Sequence, residues 1–154
     1  MKVYIVNPDN NELCPVESWK KEENPTRAKY IVLELNNGEK RMYYKNKLRT
    51  QGGESNMTWN KALELAEAFK EDNLDGWKLE SRREALDCAG DAWDIFPEAV
   101  ALIGGNIVRD WFWTREAFQT NSYGAWVFGG YDGYLYCSAY ARGNTYAARV
   151  FRAF

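Results

Sequence analysis

The chain of 154 residues is long enough for one domain of ordinary size, and its 45% apolar residues can form a core. Twenty Lys and Arg against 22 Asp and Glu give a formal net charge of −2, which disfavours a nucleic-acid-binding protein. No apolar run reaches the roughly 18 residues of a membrane span, and the N-terminus turns polar too early for a signal peptide. We therefore expect neither nucleic-acid binding nor membrane insertion.

The residues that usually carry catalysis or bind metals are scarce. Histidine, the commonest metal ligand and neutral-pH general base, is absent. The three cysteines, Cys14, Cys88 and Cys137, are far apart in sequence and form no C-x-x-C pair. We therefore predict no catalytic residue, no metal site and no cofactor.

Aromatic residues make up 16% of the chain and are concentrated at its C-terminal end. Residues 111–154 hold 14 of the 24 aromatic side chains and no lysine, whereas all ten lysines lie at or before Lys78. Each compositional half is too small to form a stable domain alone. We therefore predict a single domain over residues 1–154, with a helical half and a β half.

The first half begins with strand signals. Residues 3–6 predict a short strand, and the polar, proline-containing residues 7–26 predict a loop. Residues 30–35 and 40–44 flank Asn37-Gly38, a pair that tolerates positive φ and favours a tight turn between strands. This pattern predicts a β-hairpin.

Three helices follow. Thr58 is the predicted N-cap of a helix over 59–71, in which apolar residues recur every three or four positions. Ser81-Arg82-Arg83-Glu84 has the capping-box pattern and opens a second helix that ends near Gly90. Pro97 in a first turn predicts a short third helix. From there on, strands are predicted over 111–114, 125–128, 134–140 and 148–154.

Side-chain type alternates from Tyr134 to Tyr146. The odd positions are small and mostly apolar, whereas the even positions are tyrosine or polar. Because side chains alternate faces along a strand, the small residues should face the core and the tyrosines should face outward. A three-residue turn at 142–144 keeps Tyr146 on the tyrosine side, and a two-residue turn at 143–144 places it opposite.

Tyrosine mixed with Ser, Asn and Arg is the chemistry of antibody-type binding surfaces. We name this predicted ligand-binding set the tyrosine face, and the competing interpretation is that its rings pack within the domain or simply suit strands. Its members are Tyr131, Asp132, Tyr134, Tyr136, Ser138, Tyr140, Arg142, Asn144 and Tyr146.

Several motifs along the chain resemble those of one known group of domains. Residues 57–62 resemble a Thr-Trp-x-x-Ala helix start, and residues 75–84 resemble a Gly-Trp-Arg-Leu-Pro-Thr-x-x-Glu turn with Glu80 where proline is usual. Phe112-Trp113-Thr114 resembles a Tyr-Trp-Ser-Ser strand, and Ala125-Trp126, Asp132-Gly133 and residues 149–152 fit the final strands. Together they resemble bacterial and phage domains of unknown function with a C-type-lectin-like fold, related to formylglycine-generating (sulfatase-modifying) enzymes.

The resemblance covers about residues 57–154 and leaves 1–56 as an N-terminal strand and hairpin region. It implies an α+β fold in which two main helices flank a small antiparallel sheet. It also implies that residues 3–6 pair with the last strand and that Arg149 and Arg152 are paired scaffold residues. The tryptophans that it places in the core are Trp59, Trp77, Trp113 and Trp126.

A subset of these domains is diversified by retroelements that mutate adenines in a C-terminal cassette. Their variable sites hold residues reachable from AAC-type codons, such as Asn, Tyr, Ser, Asp, Gly and Arg. The tyrosine face fits that set, and residues 149–154 resemble the constant end of such cassettes. The resemblance thus implies a variable ligand-binding protein.

We predict a non-enzymatic domain that presents the tyrosine face to a protein or glycan on a cell or virion surface. The alternative is a structural subunit of a virion or surface appendage, in which this face is buried between subunits. A formylglycine-generating oxidase is disfavoured because those enzymes use a cysteine pair where this chain has only Cys137. Calcium-dependent sugar binding is disfavoured because the only comparable tripeptide, Asn7-Pro8-Asp9, lies in the wrong region.

Overall fold

The computed structural model describes residues 1–21, 27–89, 93–118, 124–138 and 144–154, without the side chains of residues 20, 21, 137 and 138. In chain order the strands are β1 (Lys2–Val6), β2 (Leu13–Pro15), β3 (Tyr30–Glu34), β4 (Lys40–Tyr44), β5 (Asn56–Met57), β6 (Trp111–Ala117), β7 (Ala125–Gly129), β8 (Leu135–Ser138), β9 (Tyr146–Ala147) and β10 (Phe151–Ala153). The helices are α1 (Val16–Lys21), α2 (Trp59–Ala68), α3 (Arg82–Asp87) and α4 (Ile95–Leu102).

The first sheet is antiparallel, with strand order β10-β4-β3-β1-β2. The predicted hairpin is confirmed as β3 and β4, and Gly38 in its turn has a φ of +88°. The implied pairing of residues 3–6 with the last strand is wrong, because β1 pairs with β2 and β3 while β10 pairs with β4. The two chain ends therefore share a sheet but are separated by the hairpin.

Residues 7–26 are not the simple loop that the prolines predicted. Leu13–Pro15 pairs with β1, and α1 follows at once with Val16 and Trp19 buried. Pro15 is tolerated because it ends a strand at the edge of the sheet. The prediction failed because two apolar residues spaced three apart are too little periodicity to reveal a six-residue helix.

The second sheet has the strand order β5-β9-β6-β7-β8, in which β9 runs parallel to β6 and the other pairs are antiparallel. Of the strand predicted over 148–154, only residues 151–153 form one, β10 in the first sheet, and β9 lies before that range in the second sheet. The α+β class is confirmed, but two five-stranded sheets replace the one small sheet that was expected. The last residues of the chain thus cross from one sheet to the other.

The helix starts agree with the sequence patterns. Thr58 Oγ1 accepts a hydrogen bond from the Lys61 amide at 3.4 Å, and α2 ends at Ala68 rather than residue 71. The capping box of α3 is complete, with Ser81 Oγ accepting from the Glu84 amide and Glu84 Oε1 accepting from the Ser81 amide. This helix ends at Asp87, three residues before Gly90, near which its end was predicted. None of the described helices is long and apolar enough to cross a membrane.

The largest cluster of buried side chains contains residues from both sheets and from α2. Val32 and Met42 come from the first sheet, Trp113 and Val127 from the second, and Trp59 from the helix. Trp77 belongs to the same cluster, so three of the four tryptophans expected in the core are buried. Trp126 is not: its ring is half-buried and packs against Phe118 and the Arg82 guanidinium.

A buried ion pair joins the two sheets. Arg149 and Glu80 are each 2% exposed, and Nε of the arginine donates to Oε1 of the glutamate at 2.6 Å. The Tyr43 hydroxyl of β4 donates to the other carboxylate oxygen at 2.7 Å, and the Phe112 and Phe128 rings pack on the guanidinium at 4.7 and 5.2 Å.

The implied pairing is therefore confirmed for Arg149, and its partner Glu80 stands where the domains that the sequence resembles usually have proline. The same expectation is wrong for Arg152. Among the described residues, Arg152 makes no ion pair, and its buried Nε has no hydrogen-bond partner.

Replacing Arg149 by methionine should lower the free energy of unfolding by about 3–5 kcal/mol, because the Glu80 carboxylate would stay buried without its cation. Urea unfolding measures the loss. Arg83→Met is the matched control, since Arg83 is exposed and its nearest carboxylate oxygen lies 3.8 Å away; it should change stability by less than about 0.5 kcal/mol. A loss under about 1 kcal/mol in Arg149→Met would contradict a structural role of the pair.

Trp113→Ala should cost about 3–5 kcal/mol in the same experiment, because it leaves a large cavity in the main cluster. It also removes the indole N–H that donates to the Met57 carbonyl at 2.8 Å. Leu86→Ala serves as the control, because that side chain is exposed. Equal effects of the two substitutions would show that Trp113 is not a core residue.

Candidate functional site

A tight turn connects β7 to β8 and depends on three glycines. The Gly129 amide donates to the Tyr134 carbonyl at 2.9 Å, and the Gly133 amide donates to the Gly129 carbonyl at 2.8 Å. Gly133 has a φ of +76°, a conformation that side chains disfavour. A Cβ at Gly130 would lie 2.5 Å from the Asp110 carbonyl oxygen, so only glycine fits where this turn packs on the preceding backbone.

Asp132 ties the turn together with both of its carboxylate oxygens. Oδ1 accepts from the Tyr134 amide at 3.0 Å, and Oδ2 accepts a short hydrogen bond from the Tyr136 hydroxyl. The bond with Tyr136 lowers the pKa of Asp132 below its usual value and raises the pKa of the Tyr136 phenol. The turn therefore carries a charged aspartate at neutral pH.

The Tyr136 ring packs edge-on against Trp111, with ring centroids 4.6 Å apart. A Cβ at Gly129 would lie 3.2 Å from the first ring and 3.3 Å from the second. Both rings therefore pack directly on the main chain of Gly129, where a side chain would crowd them. Leu135 points the other way and packs against the small cluster of Phe112 and Phe128, so the predicted alternation is confirmed at residues 135 and 136.

Three tyrosine rings of the turn are exposed to solvent. The exposed fraction is 65% for Tyr131, 67% for Tyr134 and 40% for Tyr136, and Asp132 is also exposed. We call these four residues the aromatic turn. They are the part of the tyrosine face that the structure brings together, and clusters of exposed aromatic rings commonly mark binding surfaces.

The other members of the tyrosine face lie elsewhere. Tyr146 is half-buried and packs edge-on against Trp113 at 4.9 Å, so it does not share the exposed patch that the alternation predicted. The reason is that β9 pairs with β5 and β6, not with β8. Asn144 is exposed. Tyr140, Arg142 and the side chain of Ser138 lie outside the described residues.

Sequence reasoning missed three residues beside the turn. Trp111 supports the Tyr136 ring, and Trp93 and Arg109 line a cleft that Tyr131 borders. Their contacts depend on strand register and on distant segments, which no local pattern reveals. The one local signal is the aromatic character of Trp93 and Trp111, and nothing in the sequence near either residue ties it to the tyrosine face.

The cysteines described in detail do not form a reactive pair. Cys88 is buried, and burial together with the nearby Glu80 carboxylate raises the pKa of its thiol to about 12. Cys14 is half-buried in β2, the edge strand of the first sheet. Within the described residues, no group of three or more Cys, Asp or Glu side chains could hold a metal ion.

Comparison with known proteins adds no relative. A scan against protein-family models gives no match, and a search of curated proteins gives none either. The resemblance to C-type-lectin-like domains therefore stays a prediction.

Tyr136→Phe should raise the pKa of Asp132 toward its ordinary value, because the phenol that stabilises the carboxylate is lost. As the pH falls through the pKa, the carboxylate gains a proton and ceases to be a charged acceptor. Nuclear magnetic resonance titration of the Asp132 carboxyl carbon measures the shift. Tyr134→Phe is the control, since Tyr134 bonds to Asp132 through its amide; equal titration of both variants would contradict the assigned bond.

Proposed function

We propose that the protein is a non-enzymatic ligand-binding domain and that the aromatic turn is the centre of its binding surface. The observation that carries the proposal is the exposure of three tyrosine rings on one hydrogen-bonded turn. Tyrosine offers a large amphipathic contact with few rotatable bonds, so such rings commonly dominate binding energy. The proposed partner is a protein or a glycan on a cell or virion surface.

The backbone of the turn supports this proposal because hydrogen bonds within the chain already fix its conformation. The Gly130 amide donates to the Asp110 carbonyl at 2.6 Å, and Asp132 fixes Tyr134 and Tyr136. A surface that is already ordered loses little conformational entropy when it binds. Tyr131 and Tyr134 remain free to make contacts, since two thirds of each side chain is exposed.

We also propose that the fold is C-type-lectin-like. The supporting features are a hairpin, a Thr58-capped helix, a capping-box helix and then an antiparallel meander, in the order that the resemblance implies. A solved structure whose two sheets are connected in a different order would contradict this assignment.

Diversification of the surface by a retroelement is part of the same proposal. The residue types of the aromatic turn are those that adenine mutation of AAC-type codons produces. The flanking DNA tests it: a reverse-transcriptase gene and a near-copy of the codons for residues 119–154, differing only at adenines, are expected. Their absence would leave an undiversified binding domain.

A structural subunit is the second candidate, because exposed rings can equally be buried between copies of the chain. It predicts stable self-association through Tyr131 and Tyr134, which sedimentation of the purified protein would reveal. A monomer in sedimentation equilibrium at micromolar concentration would favour the binding domain.

The double substitution Tyr131→Ser with Tyr134→Ser should weaken partner binding by about 2 kcal/mol or more, which is roughly 30-fold, and leave stability nearly unchanged. Binding is measured on an array of glycans and of displayed surface proteins, and stability by thermal unfolding. Phe154→Ser removes another exposed ring and is the matched control. Partner binding that survives the double substitution would overturn the proposal.

A further inference from the structure

A groove with a volume of about 560 Å³ lies between the end of α2 and the segment that follows β4. Part of its lining is apolar and comes from Leu48, Leu65 and Phe69, and the Tyr44 ring beside them packs on Phe69 with ring centroids 5.0 Å apart. Sites for small molecules have volumes of roughly 300–1,000 Å³ and combine apolar walls with a few polar groups. The groove is therefore large enough for a small organic molecule.

The charged residues that line the groove are all cations. Lys47 and Arg49 belong to the segment after β4, and Lys70 follows α2. Neither aspartate nor glutamate lines the groove in the described part of the chain. In the sequence, residues 40–53 hold five Lys and Arg and no acidic residue. The groove therefore concentrates positive charge in a protein whose formal net charge is −2.

Opposing charges cancel only part of this positive charge. Lys47 Nζ donates to the Asp110 carboxylate, which neutralises one of the three cations. The carbonyl end of α2 adds roughly half a negative charge. Because Arg49 and Lys70 are left, the groove keeps roughly one to two positive charges, and such a concave surface attracts anions.

The acidic residues that are close to the lining in sequence do not face an anion in the groove. Glu64 of α2 pairs with Lys61 at 3.4 Å, and Glu71 pairs with Lys29 at 2.9 Å. The full set that stays outside the lining is Glu54, Glu64, Glu67, Glu71 and Asp72. The described lining therefore offers an anion several donors and no carboxylate.

The three cations have N–H groups to spare. Within the described residues, Lys70 makes no ion pair and no side-chain hydrogen bond. Arg49 uses Nη1 for the Gly53 carbonyl at 3.2 Å, which is a neutral acceptor, and its guanidinium has four further N–H groups. Lys47 keeps two of its three N–H groups after the bond to Asp110. The groove can therefore donate to several oxygens of one anion.

Neutral donors lie beside the cations. Asn106 Oδ1 accepts from the Lys47 amide at 2.7 Å, which leaves the side-chain NH₂ of Asn106 as a donor. Asn46 also lines the groove, and its side chain has no hydrogen-bond partner in the part of the chain that the structure describes. Two amide groups therefore add uncharged donors to the lining.

The backbone that carries these groups is fixed by hydrogen bonds to other parts of the chain. The Leu48 amide donates to the Ala148 carbonyl at 2.9 Å, and the Asn106 amide donates to the Lys45 carbonyl at 2.8 Å. A site whose backbone is already ordered loses little conformational entropy when a ligand binds.

We propose that this groove binds a phosphate monoester of a small organic molecule. A phosphate monoester carries a charge of about −1.5 to −2 and three acceptor oxygens, which fits both the uncompensated positive charge and the surplus of donors. A carboxylate has one charge and two oxygens. The organic part of the ligand contacts the apolar side chains of Leu65 and Phe69. This site goes beyond the proposed binding function, because no residue of the aromatic turn lines the groove.

The experiment titrates glucose 6-phosphate and adenosine monophosphate into the full chain and follows the side-chain amide resonances of Asn46 and Asn106. Glucose 6-sulfate keeps the sugar and three oxygens but has one charge, inorganic phosphate lacks the organic part, and glucose lacks the anion. We expect saturable shifts with at least one ester, binding of glucose 6-sulfate that is at least about fivefold weaker than that of glucose 6-phosphate, and no shift with glucose. The tighter of the two esters identifies the organic part.

Lys70→Gln and Arg49→Gln should each weaken ester binding at least about threefold. Both side chains are exposed, so thermal unfolding should show an unchanged fold. Arg83→Gln is the matched control, because it removes an exposed arginine that does not line the groove, and it should leave the affinity unchanged.

Four results would overturn the proposal. They are the absence of saturable shifts with both esters, equal affinity for glucose 6-sulfate, inorganic phosphate that binds as tightly as either ester, and an equal loss of affinity in Arg83→Gln. The double substitution Tyr131→Ser with Tyr134→Ser should leave the titration unchanged, so failure of the aromatic turn as a binding surface and failure of this groove are separable.

Discussion

The architecture depends most on the buried pair of Arg149 and Glu80. Arg149 lies where the chain passes from β9 in the second sheet to β10 in the first, and Glu80 lies just before α3. Because Tyr43 belongs to the first sheet and Phe112 to the second, both sheets contact this one ion pair. Burying either charge alone would cost several kcal/mol. The sheets can therefore come together only in an arrangement that keeps the pair intact.

Features set by short-range chemistry could be read from the sequence. Asn37-Gly38 identified the hairpin because its turn needs positive φ, and Ser81 with Glu84 identified a helix start because both capping bonds span three residues. The crossover near Arg149 could not be read, since nothing in residues 148–154, which were predicted as one strand, marks where the chain changes sheet. The contact that Arg149 makes there, with Glu80, is 69 residues away in sequence.

In the candidate site, too, the features set by short-range chemistry could be read from the sequence and those that depend on distant residues could not. Period-2 alternation correctly separated Tyr136 from Leu135, because it is a property of any strand. It did not reveal that Tyr146 pairs with a different neighbour, which depends on sheet order. Trp93 and Arg109 were missed for the same reason: the cleft exists only once the start of α4, the segment before β6 and the glycine turn have packed together.

The contacts of the turn explain how such a surface can tolerate change. Gly130 packs on the backbone of Arg109 and Asp110, and Asp110 is itself held by an ion pair with Lys47. The backbone of the aromatic turn is thus fixed by glycines and main-chain bonds, while Tyr131 and Tyr134 contribute little to the core. If this surface binds a partner as proposed, substitution of the exposed rings would change what it binds, whereas substitution of Gly130 would change where the surface lies. A glycine frame that presents exposed side chains would then separate specificity from stability.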